Sequence, residues 1–140
     1  YICNMQFEIR KLNNTDYDEV LCKWWKDWRW VPPSRDFLPE NGEGGFVVYD
    51  KDIPVCAGYV YVTNSKVGWC DWIVSNFEYK DRVKRKEALD LLIETLTNTL
   101  KLNGCKYSYA LIKSKSLISN YINNGYTEAD NYNKEMIKKL

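Results

Sequence analysis

Residues 80–92 read KDRVKRKEALDLL, with five basic side chains in seven positions ahead of an amphipathic run. A helix start of this kind can hold phosphate, through unsatisfied backbone N–H groups and charge-assisted bonds from Arg82, Lys84, Arg85 and Lys86. It can equally be a solvated helix entrance or a nucleic-acid patch. Against the solvated reading, each cation at a helix N-terminus opposes the dipole by about 0.3–1 kcal/mol, a penalty that a bound polyanion would reverse.

A second candidate is Asp71, in the string WCDWIV. A carboxylate among bulky apolar neighbours has a raised pKa and can serve as a general base; an ion-paired or edge-exposed Asp is the competing reading. Glu8 and Glu43 are weaker candidates for the same role. A third feature is WWKDWRW (24–30), which holds four of the six tryptophans. Trp24 and Trp28 fall on a helical stripe and read as core, whereas Trp25 and Trp30 fall off it and are harder to bury. A homodimer contact is one way to cover them.

Composition narrows the chemistry. There is no histidine, which removes Ser-His-Asp and Cys-His catalysis and His-ligated zinc, so no metal is expected. The five cysteines are scattered, odd in number and lack CxxC spacing, as expected of buried thiols in a reducing compartment. A net charge of +1 supplies no global field for nucleic acid or an anionic membrane. No apolar run approaches the roughly 20 residues that span a bilayer. The start lacks a signal-peptide pattern, and Met5 is a candidate natural start. These features point to a cytoplasmic protein. At 140 residues the chain fits one domain with a real core.

The elements that must position these residues follow from periodicity. Phe7 to Leu12 alternates as a strand. Thr15 and Asp18 form a capping-box pattern, and Tyr17, Val20, Leu21, Trp24 and Trp28 carry a helix to about Trp28. A Pro- and Gly-rich loop follows. Strands are expected at 45–50, 53–63 and 66–75. A helix should run from about Arg85 to Leu102, with Ala88, Leu92, Leu96 and Leu100 on one face and Asn103-Gly104 as its stop. A strand over 106–113, a short helix over 116–124 stopped by Gly125, and a strand from Tyr126 onward complete the order β-α-β-β-β-α-β-α-β. The fold class is α+β (mixed α/β), a mixed sheet with helices on both faces.

This order, with three local strings, resembles the GNAT superfamily of acetyl-CoA-dependent N-acetyltransferases from Phe7 to Leu140. The strings are Pro54-Val-Cys-Ala-Gly-Tyr-Val, Trp72-Ile-Val-Ser-Asn with Glu78-Tyr-Lys, and Asn120-Tyr-Ile-Asn-Asn-Gly-Tyr126. The last is similar to the family's "Tyr-x-x-x-Gly-Phe" signature, with Tyr126 for Phe. The resemblance implies a three-layer fold with a central sheet of 6–7 strands, and acetyl transfer to a primary amine in a ternary complex. It implies that the backbone of Ile73, Val74 and Ser75 binds the pantetheine arm, with a bulge there supplying an oxyanion donor. Arg82, Lys84, Arg85, Lys86, Glu87 and Ala88 would then meet the pyrophosphate or 3′-phosphate of acetyl-CoA. Ser114 would contact the cofactor at a position where the family often has Asn. Tyr121 falls at the general-acid position, where a phenol protonates the departing thiolate. The first helix and the loop after it would line the acceptor pocket, placing Trp25, Trp30 and Phe37 against the substrate amine.

One departure stands out. The family's Arg/Gln-x-x-Gly-x-Gly/Ala loop is replaced here by a register of Val83, Lys86 and Ala88. That loss motivates the alternative of a GNAT-like module that binds without acetylating. A nucleic-acid binder using the basic run and the tryptophans is disfavoured by the near-neutral charge.

Overall fold

The computed structural model describes residues 6–140; the candidate start at Met5, and Cys3, lie outside the described residues. The strands are β1 (Phe7–Lys11), β2 (Gly45–Asp50), β3 (Ile53–Val62), β4 (Val67–Ser75) and β5 (Tyr107–Tyr109). They form one sheet in the order β1-β2-β3-β4-β5. The first four are antiparallel neighbours, and β5 runs parallel to β4. A parallel pair needs a long crossover, supplied here by helix α2 (Arg82–Leu102).

Helices cover both faces. On one, α2 places Ala88, Leu92, Ile93, Leu96 and Leu100 in a core with Phe7, Val48, Cys56, Cys70 and Tyr121 of helix α3 (Lys115–Asn123). Full burial of each leucine is worth about 1.5–3 kcal/mol, so the four-residue repeat read from sequence is what fixes α2 to the sheet. On the other face, helix α1 (Cys22–Asp27) packs Trp24 and Trp25 against Leu12, Val47, Ala57, Tyr59 and Val74.

Several expectations are corrected. The sheet has five strands rather than 6–7 among the described residues. After Tyr126, whose hydroxyl is fixed by Thr97 and Ser108, the chain forms no strand. The sequence TEADNYNKEMIKKL has no period-2 apolar face, and Met136, Ile137 and Leu140 are all largely exposed. The strand expected over 106–113 shortens to Tyr107–Tyr109, because side chains take the next ladder partners on both strands.

The first helix begins as a π-helical turn (Tyr17–Leu21) that passes into α1, and Thr15 does not cap it. Asn13 instead holds the turn ahead of it: its side-chain oxygen accepts from the N–H groups of Thr15 and Asp16 at 3.0 and 3.2 Å, and from the Thr15 hydroxyl at 2.8 Å. Helix α2 starts at Arg82, three residues before the expected Arg85. The Asp81 carboxylate accepts from the Lys84 N–H at 3.1 Å and so initiates the helix earlier.

Candidate active site

The site begins where β4 and β5 part. Their parallel register runs Val67↔Tyr107, Gly68↔Ser108 and Trp69↔Tyr109, then ends. The Tyr107 N–H donates to the Lys66 carbonyl at 3.1 Å. Continuing two residues at a time, the ladder would next join the Leu111 N–H to the Cys70 carbonyl. Neither group makes that bond. The Cys70 carbonyl instead accepts from the Tyr121 hydroxyl at 2.7 Å, and the Leu111 N–H turns to the Asp71 carboxylate at 3.4 Å. A phenol from α3 and a carboxylate from β4 thus stand at the apex of a fork whose prongs are Asp71–Ser75 and residues 110–114.

Directly beyond the apex, β4 bulges. Ala57 pairs with Val74 and Tyr59 with Asp71, so Gly58 faces both Trp72 and Ile73. Trp72 carries the distortion in the left-handed region, at φ +57°. The bulge turns Trp72 to the α1 face beside Val74, while Ile73 packs into the α2 core. Gly58 makes room for that turn: a Cβ there would lie 2.4 Å from Ile73 Cδ1 and 2.9 Å from Leu96 Cδ1. Asp71 lies opposite Tyr59 and therefore shares its face with Trp69, Tyr61 and Trp72, not with Ile73 as simple alternation predicts.

Past the bulge, the Asn76 N–H donates to the Val55 carbonyl at 2.8 Å. Backbone groups alternate sides along a strand, so those of Ser75 and Ile73 turn away from β3 toward the open fork. The Ser75 carbonyl already accepts from Trp28 Nε1–H at 2.8 Å and keeps one lone pair. Trp28 also packs edge-on to Phe77 and stacks with Trp30, which ties the loop after α1 to the end of β4. Periodicity assigned Trp28 to the core, and its indole gives no sequence signal for this bond.

Tyr121 is buried at 2% exposure, and burial pushes its phenol well above the ordinary range, so it keeps its proton. Burial also pushes the neighbouring Cys70 thiol up to about 12, which leaves it a poor nucleophile. Asp71 is raised by burial, against which the Trp72 and Leu111 N–H groups act. Of the weaker base candidates, Glu8 lines a surface cavity of about 280 Å³ with Arg10, Tyr49 and Asp52, away from the fork. Glu43 sits in the turn before β2.

The basic run lies in the first two turns of α2. Arg82 and Lys84 are exposed; Arg85 donates to the Tyr79 carbonyl at 3.1 Å, and Lys86 Nζ to the Ser119 hydroxyl at 2.8 Å. Glu87 is exposed. Ala88 is fully buried, its side chain in the core between α2 and the sheet. Ser114 precedes α3, exposed, its hydroxyl 3.0 Å from that of Ser116. Trp25 is a correction: at 1% exposure it is core, beneath Trp72 at 6.2 Å and an 88° ring angle. It stays buried because Tyr17 and Trp72 enclose it from both sides. Trp30 is 53% exposed and Phe37 46%, at separate places: Trp30 against Trp28, Phe37 against Trp72.

No protein-family model matches the chain, and no curated protein matches it in sequence. Solved structures do match. Glucosamine-6-phosphate N-acetyltransferase from Arabidopsis thaliana is 14% identical with a TM-score of 0.64, covering 94% of this chain and 99% of its own. A GNAT family acetyltransferase from Staphylococcus aureus subsp. aureus is 15% identical with a TM-score of 0.59, covering 95% of this chain and 100% of its own. An aminoglycoside N-acetyltransferase solved in complex with CoA is 16% identical with a TM-score of 0.60, covering 94% of this chain and 95% of its own. With its forked β4–β5 pair, bulged β4 and helices on both faces, the chain has the fold of the GNAT acetyltransferases.

Proposed function

We propose that the chain is a cytoplasmic N-acetyltransferase that moves an acetyl group from acetyl-CoA to a primary amine in a ternary complex. The observation that carries this reading is the fork apex, where the Tyr121 hydroxyl and the Asp71 carboxylate replace the ladder bond between β4 and residue 111. Acetyl-CoA supplies an acyl thioester; a C–N bond forms to the amine as the C–S bond breaks.

Each fork residue has a role. The backbone groups of Ile73 and Ser75, turned from β3, hold the pantetheine arm, and Val74 fixes them by pairing with Ala57. The bulge offers a preorganised N–H to the acetyl oxygen. Asp71 takes the proton that the ammonium form of the acceptor must lose, and Tyr121 gives one to the departing sulfur. Arg82 and Lys84, with Arg85 and Lys86 behind them, meet the cofactor phosphates at the α2 start; Ser114 lies on the opposite prong. No imidazole is needed, because positioning and dipoles supply most of the effect.

Thermal denaturation with acetyl-CoA tests this. Donor at about 100 times its dissociation constant stabilises the fold by roughly 2.7 kcal/mol. An unchanged melting temperature at millimolar acetyl-CoA overturns the reading. A shift without turnover on any amine leaves a binding module in its place.

A further inference from the structure

The α1 helix covers only part of its face of the sheet. Beyond it, on the β4–β5 side, five aromatic side chains surround Asp71. Tyr61 pairs across from Trp69, and Trp69 pairs with Tyr109, whose rings meet edge-on at 4.5 Å. Phe37 packs edge-on to Trp72 at 5.7 Å, and the Tyr61 hydroxyl donates to the Phe37 carbonyl at 3.1 Å, joining the two halves. Directly opposed strand residues share a face, so Tyr61, Trp69, Asp71 and Tyr109 point the same way, and the bulge adds Trp72 to them. Phe37 at 46% and Tyr109 at 37% exposure leave this surface open to solvent.

The chemistry of this surface is one-sided. Asp71 is the single carboxylate among these six residues. Two of its lone pairs meet the Trp72 and Leu111 N–H groups, which leaves acceptor capacity for one ammonium. Asp36, beside Phe37, is exposed and engaged by the Ser34 hydroxyl. A polycation would find one half-buried partner for several charges, whereas a flat apolar body would find rings on every side.

We infer that this face is the acceptor site and that it selects a monoamine on an aromatic or similarly flat apolar body, rather than a polyamine or an aminoglycoside. The inference rests on the acetyltransferase reading for turnover but not for binding. Of the sequence-derived lining residues it keeps Phe37, replaces Trp25 and Trp30, and adds Tyr61, Trp69, Trp72 and Tyr109.

The test combines binding and turnover with three probes and two polycations. Binding of 2-phenylethylamine, propylamine and 2-phenylethanol is measured by calorimetry without donor. Loss of the ring or of the charge should each weaken binding about tenfold or more, and so should Asp71→Asn and Trp69→Ala for 2-phenylethylamine. With acetyl-CoA, CoA release should be at least about tenfold more efficient in kcat/KM with 2-phenylethylamine than with spermidine or kanamycin. Equal binding of propylamine and 2-phenylethylamine, binding indifferent to both substitutions, or preference for either polycation overturns the inference. If the chain fails to bind acetyl-CoA, the acetyltransferase reading falls while the three-probe comparison still decides what this face recognises.

Discussion

The Tyr121 hydroxyl donates to the Cys70 carbonyl at 2.7 Å, and this bond occupies the place of the next β4–β5 ladder bond. The relationship links fold to chemistry. A side-chain donor replaces a backbone one, so the strand pair can open without orphaning a buried carbonyl, and the replacing group is itself a proton donor. Removing the hydroxyl in Tyr121→Phe leaves the Cys70 carbonyl unpaired behind a well-packed ring. The expected cost is about 1–3 kcal/mol, read as a lower denaturation midpoint at unchanged slope. In the acetyltransferase reading kcat falls by roughly a hundredfold, while acetyl-CoA affinity holds. An unchanged kcat in a variant that still folds removes Tyr121 from proton transfer and leaves it a structural cap.

Asp71 gives a pH signature. Its carboxyl is raised by burial, so in the folded protein it loses its proton at a higher pH than an ordinary Asp does. A base must be ionised to act, so kcat/KM should climb with pH through this raised value rather than near the usual value of about 4. Stability runs the other way: with a raised folded value, the protonated form is the one the fold favours, and that contribution is lost as pH rises through it. Asp71→Asn should flatten the acidic limb of the rate profile. An acidic limb that survives this substitution assigns the base elsewhere.

Asp16 provides the opposite sign at a site remote from the fork. Burial raises its pKa, but Arg10, bonding both oxygens at 2.8 and 3.0 Å, and the Asn13 N–H outweigh that and hold it below the usual carboxylate range. Its stabilising contribution is therefore complete above about pH 4, the unfolded value, and is lost as pH falls through the lower folded value. Acid titration of the melting temperature should show this loss in the wild type and a smaller one in Asp16→Asn, whose stability is lower at pH 7. Equal acid sensitivity in both would show that the Arg10 pair contributes nothing to the acid limb.

How far the sequence disclosed this arrangement depended on range. Strong local periodicity was enough for β1 to β4, α2 and α3, because the Ala88–Leu100 repeat and the alternation in GFVVYD are intrinsic to each segment. Features set by other segments were not legible. Nothing within TEADNYNKEMIKKL states whether a neighbouring edge will pair with it. Trp25 looked off-stripe because a π-helical turn precedes α1 and shifts the 3.6-residue phase. Alternation alone puts Asp71 on the face of Ile73; the bulge adds one residue to the count and separates them, and its best sequence sign is Gly58 on the opposing strand. Alternation places Trp69 on the face of Asp71, but Tyr61 and Tyr109 join them only through cross-strand register, which no local pattern shows.

The basic run at the start of α2 carries the last prediction, on acetyl-CoA binding. Its glycine-free sequence lets α2 begin early, with Asp81 capping Lys84, so in the acetyltransferase reading few backbone donors remain for phosphate and side chains supply the attraction. Arg85 and Lys86 are already engaged with Tyr79 and Ser119, which leaves Arg82 and Lys84 as the exposed cations of the run that are not so engaged. The double substitution Arg82→Ser and Lys84→Ser should weaken acetyl-CoA binding about tenfold or more and reduce its dependence on salt. It should also leave the melting temperature of the free protein unchanged or slightly higher, because two cations leave the positive end of the helix dipole. Lower stability together with unaltered acetyl-CoA affinity would place the phosphates elsewhere and return the run to the role of a solvated helix start.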